Sequence, residues 1–393
     1  MNTFLLEAQS LFEYTRAMRR DFHTHPELGF QEVRTAGIVV RELSALGLEI
    51  HSGIGGTGVV ALMEGMKPGP VVLLRADMDA LPIIEETGAE YASQNKGVMH
   101  ACGHDAHTAI LLTVAKMLSA RRAQMAGTVK FMFQPAEEGM GGAEKMLESG
   151  ILDGPKVDVA LGLHIWNEKP VGWFGIANGP FMAGAEIFKI KIIGKGGHGA
   201  APHLAIDPVL AAAQVVNALQ GIVARNVAPS QTAVVSVCTI HGGETFNVIP
   251  QVVELTGTIR TFEPEVRTRV LQRFRETVHG VVEAMGCHME MELQQLTPAT
   301  VNTPNIASIV QATARTLFPE AEIDTANYTT MGSEDFAFVL EKVPGCFFFV
   351  GSANPEKRLN AGHHHPKFDF DEVVLPHAAA LLSEAALKIL SSM

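Results

Sequence analysis

Ligand-type residues fall in four places far apart along this chain. Met99-His100-Ala101-Cys102-Gly103-His104-Asp105-Ala106-His107 packs a thiol, three imidazoles and a carboxylate into nine residues. Ala136-Glu137-Glu138-Gly139 follows, then the lone His164, then His363-His364-His365-Pro366 near the C-terminus. Soft and borderline donors make a metal site only when a fold gathers them. A fold that uses all four must return the C-terminal histidines to the N-terminal half. The composition of the four clusters together points to metal-centred hydrolytic chemistry.

The apolar rhythm is compatible with such a return. Residues from about 4 to 47 show three- and four-residue apolar spacing, which predicts two helices. His23-Thr24-His25-Pro26-Glu27 separates them, with Pro26 marking a turn, and Gly47 stops the second. Gly58–Leu62, Val71–Leu74, Val129–Phe133 and Val157–Leu161 read as strands, and about 106–120 as a helix. Continuous apolar strands alternating with helices predict an α/β fold, its mixed or parallel sheet flanked by helices. Ligands then gather beyond the carboxyl ends of the strands. Glu137, Glu138 and His164 are expected just past such ends.

The middle of the chain has another rhythm. Residues 186–194 alternate, with Lys189 and Lys191 on one face, as in a half-exposed strand. Asp207-Pro208 starts a helix to about 224, with Asp207 as N-cap. Strands follow at about 232–241 and 252–260, then a helix from Glu263-Pro264 to about 285 and a strand at about 287–294. The order β-α-β-β-α-β is ferredoxin-like. It predicts an inserted domain of residues 185–297. A helix at about 304–318, another from Ser333, a strand at 345–350 and a helix at about 372–391 restore the α/β character. Residues 1–184 and 298–393 therefore form one discontinuous, metal-binding domain.

Composition excludes several classes. A chain of 393 residues is long for one core, so two domains are expected. The 42 acids outnumber the 30 bases, which disfavours nucleic acid or an anionic membrane as partner. Four cysteines do not make a disulfide framework, and Cys238 and Cys346 read as small buried hydrophobes. The N-terminus has no basic region, Glu7 interrupts its apolar run, and no apolar stretch has spanning length. A cytoplasmic location is the expectation.

The clusters carry specific chemistry. Cys102 and His104 cannot share a helix face but can converge from a turn at Gly103. Adjacent carboxylates at Glu137 and Glu138 repel unless a cation or proton compensates. A natural division puts one on metal and makes the other a general base. Which of His363, His364 and His365 would serve is open at this level. Two rival readings remain: Cys102 as a nucleophile with a histidine partner, or a non-catalytic metal-binding protein. The first leaves Glu137, Glu138 and His364 unused.

The motifs together resemble a known family. Arg75-Ala-Asp77-Met-Asp79-Ala-Leu-Pro82, the 99–107 cluster, Gln134-Pro-Ala-Glu-Glu-Gly139, Gly194-Lys-Gly-Gly-His-Gly-Ala-Ala-Pro-His203, Phe246-Asn-Val-Ile-Pro250, Gly332-Ser-Glu-Asp-Phe336 and His364-His-Pro-Lys-Phe-Asp369 are similar to the M20 metallopeptidases. The subgroup resembled is the amidohydrolases acting on hippurate, N-acyl amino acids and indole-acetyl amino acids. The resemblance implies two divalent ions per chain, Zn2+ or Mn2+ first and Co2+ or Ni2+ as alternatives. Cys102 would bridge them, with His104, Glu138, His164 and His364 completing the set. Glu137 would be the general base and Asp79 would orient a ligand. The family's frequent His-x-Asp-x-x-Pro reads Asp77-Met78-Asp79-Ala80-Leu81-Pro82 here, so that histidine is absent and His104 stands in for it. The insert would be a lid and dimerisation domain. There His198 would polarise the scissile carbonyl, and Asn247 and Arg260 would hold the substrate. The implied substrate is an N-acyl amino acid, the implied assembly a homodimer or larger homo-oligomer. A carboxypeptidase or dipeptidase is the nearest alternative.

Overall fold

Eight strands of the N- and C-terminal segments form one mixed sheet in this computed structural model, which describes residues 3–326 and 328–393. In chain order the first six are β1 (Glu49–Ile54), β2 (Gly58–Glu64), β3 (Lys67–Asp77), β4 (Ala126–Gln134), β5 (Val159–Pro170) and β6 (Trp173–Gly175). Gly345–Ala353 and Glu322–Asp324 complete it. The order is β1-β2-β4-β3-β5, then Gly345–Ala353, β6 and Glu322–Asp324. β3 runs parallel to both β4 and β5, and Gly345–Ala353 runs parallel to β5. β1 and β2 pair antiparallel at one edge. These elements belong to a compact unit of Met1–Gly179, Val301–Thr329 and Asp335–Met393.

The N-terminal stretch holds three helices where the spacing predicts two: α1 (Thr3–Ser10), α2 (Phe12–Thr24) and α3 (Val33–Ser44). Leu11 breaks the first pair without a proline or glycine, so periodicity alone runs through it. α4 (His104–Ser119) starts directly after the Cys/His cluster and is buried throughout, apart from partial exposure at Lys116 and Ser119. Such a helix is apolar all round because it is covered on every side. Among the described residues, Val374–Ser392 is the helix long and apolar enough to cross a membrane. It is a core helix here, 78% buried over its apolar window. The helix expected from Ser333 is only Ala337–Leu340.

His164 lies inside β5, not past its end as its sequence suggests. β3 pairs with β5 only as far as Gly162, while Gly345–Ala353 continues alongside and sets Phe349 opposite His164. His164 is therefore beyond the sheet on one side and still paired on the other.

The second compact unit is Pro180–Thr300 with Thr330–Glu334. Its four strands lie in the order Ala233–His241, Val252–Thr261, Gly184–Ile193, His288–Thr297, all antiparallel. Helices Pro208–Asn226 and Pro264–Ala284 contribute Val215, Leu219, Phe274 and Val278 to a core with Phe188, Ile190 and Ile192. Ile187, Lys189 and Lys191 take the other face, and Asp207 caps its helix through Val209 N–H at 2.8 Å. Cys238 is exposed, contrary to the sequence reading. It takes the outer face with Val234 and Ser236, opposite the buried Ala233 and Val235, beside a register shift between Val237 and Thr239.

Candidate metal centre

Each cluster reaches the centre of the first unit for a local reason. Gly103 precedes α4 with φ +96°, a conformation that suits glycine. A Cβ there would fall 2.5 Å from Ile165 Cδ1, so Gly103 also lets β5 approach the cluster. Glu137 and Glu138 lie three and four residues past the end of β4. His364 is tied to the cluster by its N–H, which donates to Ala101 O at 2.8 Å. Its φ is +64°, which is uncommon outside glycine and marks a position held by its surroundings.

The hydrogen bonds sort the histidines. His107 is used on both nitrogens: Nδ1 lies 2.6 Å from Asp77 Oδ1, and Nε2 accepts from Ile165 N–H at 3.0 Å. That fixes its tautomer and occupies it. His104 places Nδ1 3.0 Å from Asp79 O and 3.1 Å from Asp79 Oδ1. Its Nε2 is buried and has no hydrogen-bond partner among the described residues. His164 spends Nδ1 on Ile165 O and leaves Nε2 3.4 Å from Cys102 Sγ. His363 packs between Trp166 and Phe368, and its Nε2 accepts from Asn167 N–H. His365 turns its Nδ1 to Lys367 N–H. His364 alone of the three presents Nε2 to Glu138, 3.1 Å from Oε1.

Ligand atoms of Cys102, His104 and His164 lie within 4.8 Å of one another. The same holds for Cys102, Glu138 and His364, and for His104, Glu137 and Glu138. These overlapping groups share Cys102, His104 and Glu138. Asp79 ties two of the carriers together, because its Oδ2 accepts from Glu138 N–H at 3.0 Å while Oδ1 faces His104. A carboxylate on the far nitrogen of an imidazole fixes its tautomer and raises its basicity.

The electrostatics ask for cations. Burial pushes the Cys102 thiol well above its usual pKa, and the charges of Glu138, Glu137 and Asp77 push it further. An activated cysteine nucleophile needs the opposite shift, which counts against that rival. Burial opposes charge on His104, yet Asp77, Asp79 and Glu138 outweigh it and hold its pKa at about 10. Burial lowers His164 well below its ordinary value, helped by His107 and His363. The carboxylates that hold a proton on His104, beside a thiol and the neutral His164 imidazole, are an excess of donors and negative charge that divalent ions would satisfy by displacing those protons.

Asp77 is the residue that sequence reasoning underused. Burial opposes its charge, but Arg75, His104 and His107 hold its carboxyl well below the usual range. Arg75 donates to Asp77 at 2.7 Å and to Gln134 at 2.9 Å, and reaches Asp335 at 3.3 Å. The available signal was an acid closing the apolar run of β3.

The remaining sequence candidates lie in the second unit. His198 and Asn247 meet on a small ribbon: His198 pairs with Val248, and Gly199 N–H donates to Asn247 O at 2.8 Å. Both side chains are exposed. Arg260 is elsewhere, paired with Ala185 at the far end of the sheet. Its Nη1 is buried with no hydrogen-bond partner among the described residues. Burial lowers its pKa and the Glu186 carboxylate only partly offsets this.

A cluster of thiol, imidazole and carboxylate donors on loops past the strand ends and on β5 of a mixed α/β sheet points to a metallohydrolase. Residues 73–388 match the model of peptidase family M20/M25/M40, and the chain belongs to that family. It is 41% identical over 377 residues to an N-acetylcysteine deacetylase of Bacillus subtilis, covering 95% of this chain and 96% of that protein. It is 39% identical over 386 residues to thermostable carboxypeptidase 1 of Saccharolobus solfataricus, covering 97% of each. The crystal structure of the Bacillus subtilis YXEP protein, described as a dinuclear metal-binding peptidase of family M20, superposes with a TM-score of 0.85. That chain is 38% identical, with 98% of this chain and 100% of the other covered. By family this protein is a metal-dependent amidohydrolase.

Proposed function

We propose that the protein hydrolyses the amide bond of N-acyl amino acids, giving a carboxylic acid and a free amino acid. The observation that carries this reading is the set of overlapping donor groups formed by Cys102, His104, His164, Glu138 and His364, with Glu137 grouped beside His104 and Glu138. Those five residues would hold two divalent ions, with Cys102 among the donors. Zn2+ or Mn2+ suits the donors, and Co2+ or Ni2+ would be accepted. When bound, such ions polarise a carbonyl and make water more acidic. Glu137 then takes a proton from the attacking water and passes it to the leaving nitrogen. Asp79 holds His104 and the Glu138 backbone in place. His198 donates to the oxyanion, and Arg260 grips the substrate carboxylate with a planar pair of N–H groups. Asn247 stands beside His198 as a second polar contact.

The second unit reads as a ferredoxin-like lid and dimerisation domain, spanning residues 185–297. Its sheet has two free edges, a liability that pairing with a second subunit removes. A cytoplasmic location agrees with four unpaired cysteines. The carboxypeptidase or dipeptidase reading has one observation in its favour, the likeness to the Saccharolobus enzyme. A peptide is itself an N-acyl amino acid, so a panel of acetyl, benzoyl and indole-acetyl amino acids beside dipeptides decides between them. Higher kcat/KM on every dipeptide would displace the acyl-amino-acid assignment.

The metal requirement has its own test. Metal-free protein should be inactive and recover with about two equivalents of Co2+ or Zn2+ per chain. Cys102→Ala should bind the pair poorly and stay inactive at stoichiometric metal. Full turnover by thoroughly metal-free protein would end the reading.

Substrate charge supplies another test. N-acyl amino acids should be cleaved faster than the corresponding amides, and Arg260→Ala should erase the preference. A charge-assisted bond contributes roughly 1.5–3 kcal/mol, or about 10- to 150-fold in kcat/KM. Equal rates on acid and amide in the wild type would remove Arg260 from the site.

A further inference from the structure

The segment from His23 to Glu32 takes no direct part in the proposed chemistry, yet it ends against the loop that carries Glu137 and Glu138. Glu32 is completely buried. It stands at the N-terminus of α3, where an acid ordinarily caps free amides. Glu27 does that work instead, accepting from Arg34 N–H at 2.9 Å and Thr35 N–H at 2.8 Å. Glu32 makes no cap bond. Its Oε1 accepts from Ala136 N–H at 2.9 Å, and its Oε2 accepts from the Thr57 hydroxyl.

Ala136 is an unusual target. Its φ is +52°, a region costly for any residue with a Cβ. The residue is fully buried and sits immediately before Glu137. Its carbonyl accepts from Gly142 N–H at 3.1 Å, closing the loop on itself. A Cβ at Gly142 would lie 1.7 Å from Pro135 O, so that closure has no slack. The backbone turn at Ala136 sets the directions in which the next two side chains leave.

We propose that Glu32 is a positioning residue that pins Ala136 in the left-handed conformation and thereby aims Glu137 and Glu138. The inference rests on the assignment of Glu137 as base and Glu138 as ligand. Strain of this kind persists near reacting groups only where the surroundings over-determine it. The Glu32 carboxylate supplies that constraint through one buried hydrogen bond, and Thr57 fixes the carboxylate.

The test compares wild type with Glu32→Ala, Glu32→Gln, Ala136→Gly and the double variant Glu32→Ala/Ala136→Gly. Metal-free proteins are titrated with Co2+ alone and followed by visible absorbance. Turnover is then measured at saturating Co2+ on the best substrate of the acyl panel. Glu32→Ala should weaken the second Co2+ equivalent and lower kcat by at least about 10-fold each, since small misplacements of reacting groups are costly, while KM changes little. Glu32→Gln keeps an acceptor for Ala136 and should stay within about 3-fold of wild type. Ala136→Gly should behave like wild type. In the double variant glycine adopts the positive φ unaided, so most of the Co2+ affinity and kcat should return. A wild-type response in Glu32→Ala would overturn the proposal. So would a loss that Ala136→Gly leaves untouched, because Glu32 would then serve only general stability. If Glu32→Ala does not fold, Thr57→Val offers a milder lesion. Its several-fold loss should likewise be restored by Ala136→Gly, and no loss would count against the proposal. Failure of the wild type to bind two Co2+ would instead refute the metal assignment itself.

Discussion

Glu137→Gln should keep its metal and lose about 10²- to 10⁴-fold in kcat, the usual scale for loss of a general base. The substitution preserves shape and removes only the ability to take a proton. Glu137 is half-buried on the loop after β4, with Asp335 N–H 3.4 Å from its Oε1. That contact survives as a bond to the amide oxygen. The neighbouring Glu138 behaves differently because its partners differ. Its Oε1 faces His364 at 3.1 Å and its backbone is held by Asp79. Glu138→Gln should therefore lose metal as well as rate. Metal analysis of both purified variants beside their kcat separates base from ligand. Wild-type turnover in Glu137→Gln would show that the two roles have been assigned to the wrong residue.

The parts of this site that were legible in the sequence are those where residue type and neighbours carry the chemistry. Cys102-Gly103-His104 reads as a turn of ligands because a glycine between two donors has few other uses. The structure places that glycine at φ +96° against Ile165. The helices of the second unit were legible from Asp207-Pro208 and Glu263-Pro264, since caps and prolines act locally. Illegible were the properties set by tertiary pairing. His164 looked like a strand-end residue because its apolar run stops at Leu163, but pairing with Gly345–Ala353 carries the strand on to Pro170. Cys238 looked buried because its run is apolar, but strand alternation turns it to the face opposite the buried Ala233 and Val235. The choice among His363, His364 and His365 has no local signal. It follows from which ring reaches Trp166, which reaches Glu138 and which turns back to Lys367. Asp77 and Glu32 were hidden for a related reason: a buried acid reveals its work only through partners distant in sequence, such as His107 and Ala136.

Two variants that are each inactive should recover activity when mixed. His198→Ala removes the proposed oxyanion donor and Glu137→Gln the proposed base. The second unit gives the reason to expect that they complement. His198 and Asn247 sit on the ribbon beyond the end where Val252 pairs with Ile193. Arg260 pairs with Ala185 eight residues further along the same strand. At about 3.3 Å per residue that is roughly 26 Å, far more than an acyl amino acid can span. One copy of this domain therefore cannot bring both His198 and Arg260 to the same small substrate. If both residues act, they come from different chains, and a closed two-fold dimer supplies the second one. Where the partner subunit is the one that supplies His198, as we propose, mixed dimers after subunit exchange hold one site combining an intact Glu137 with an intact His198. Activity should rise from near zero towards about one working site per mixed dimer, a quarter of wild type for a random equal mixture. Exchange can be followed separately by mass-tagging one variant. Demonstrated exchange with no recovery would refute the trans arrangement, and full activity of His198→Ala alone would remove His198 from the reaction.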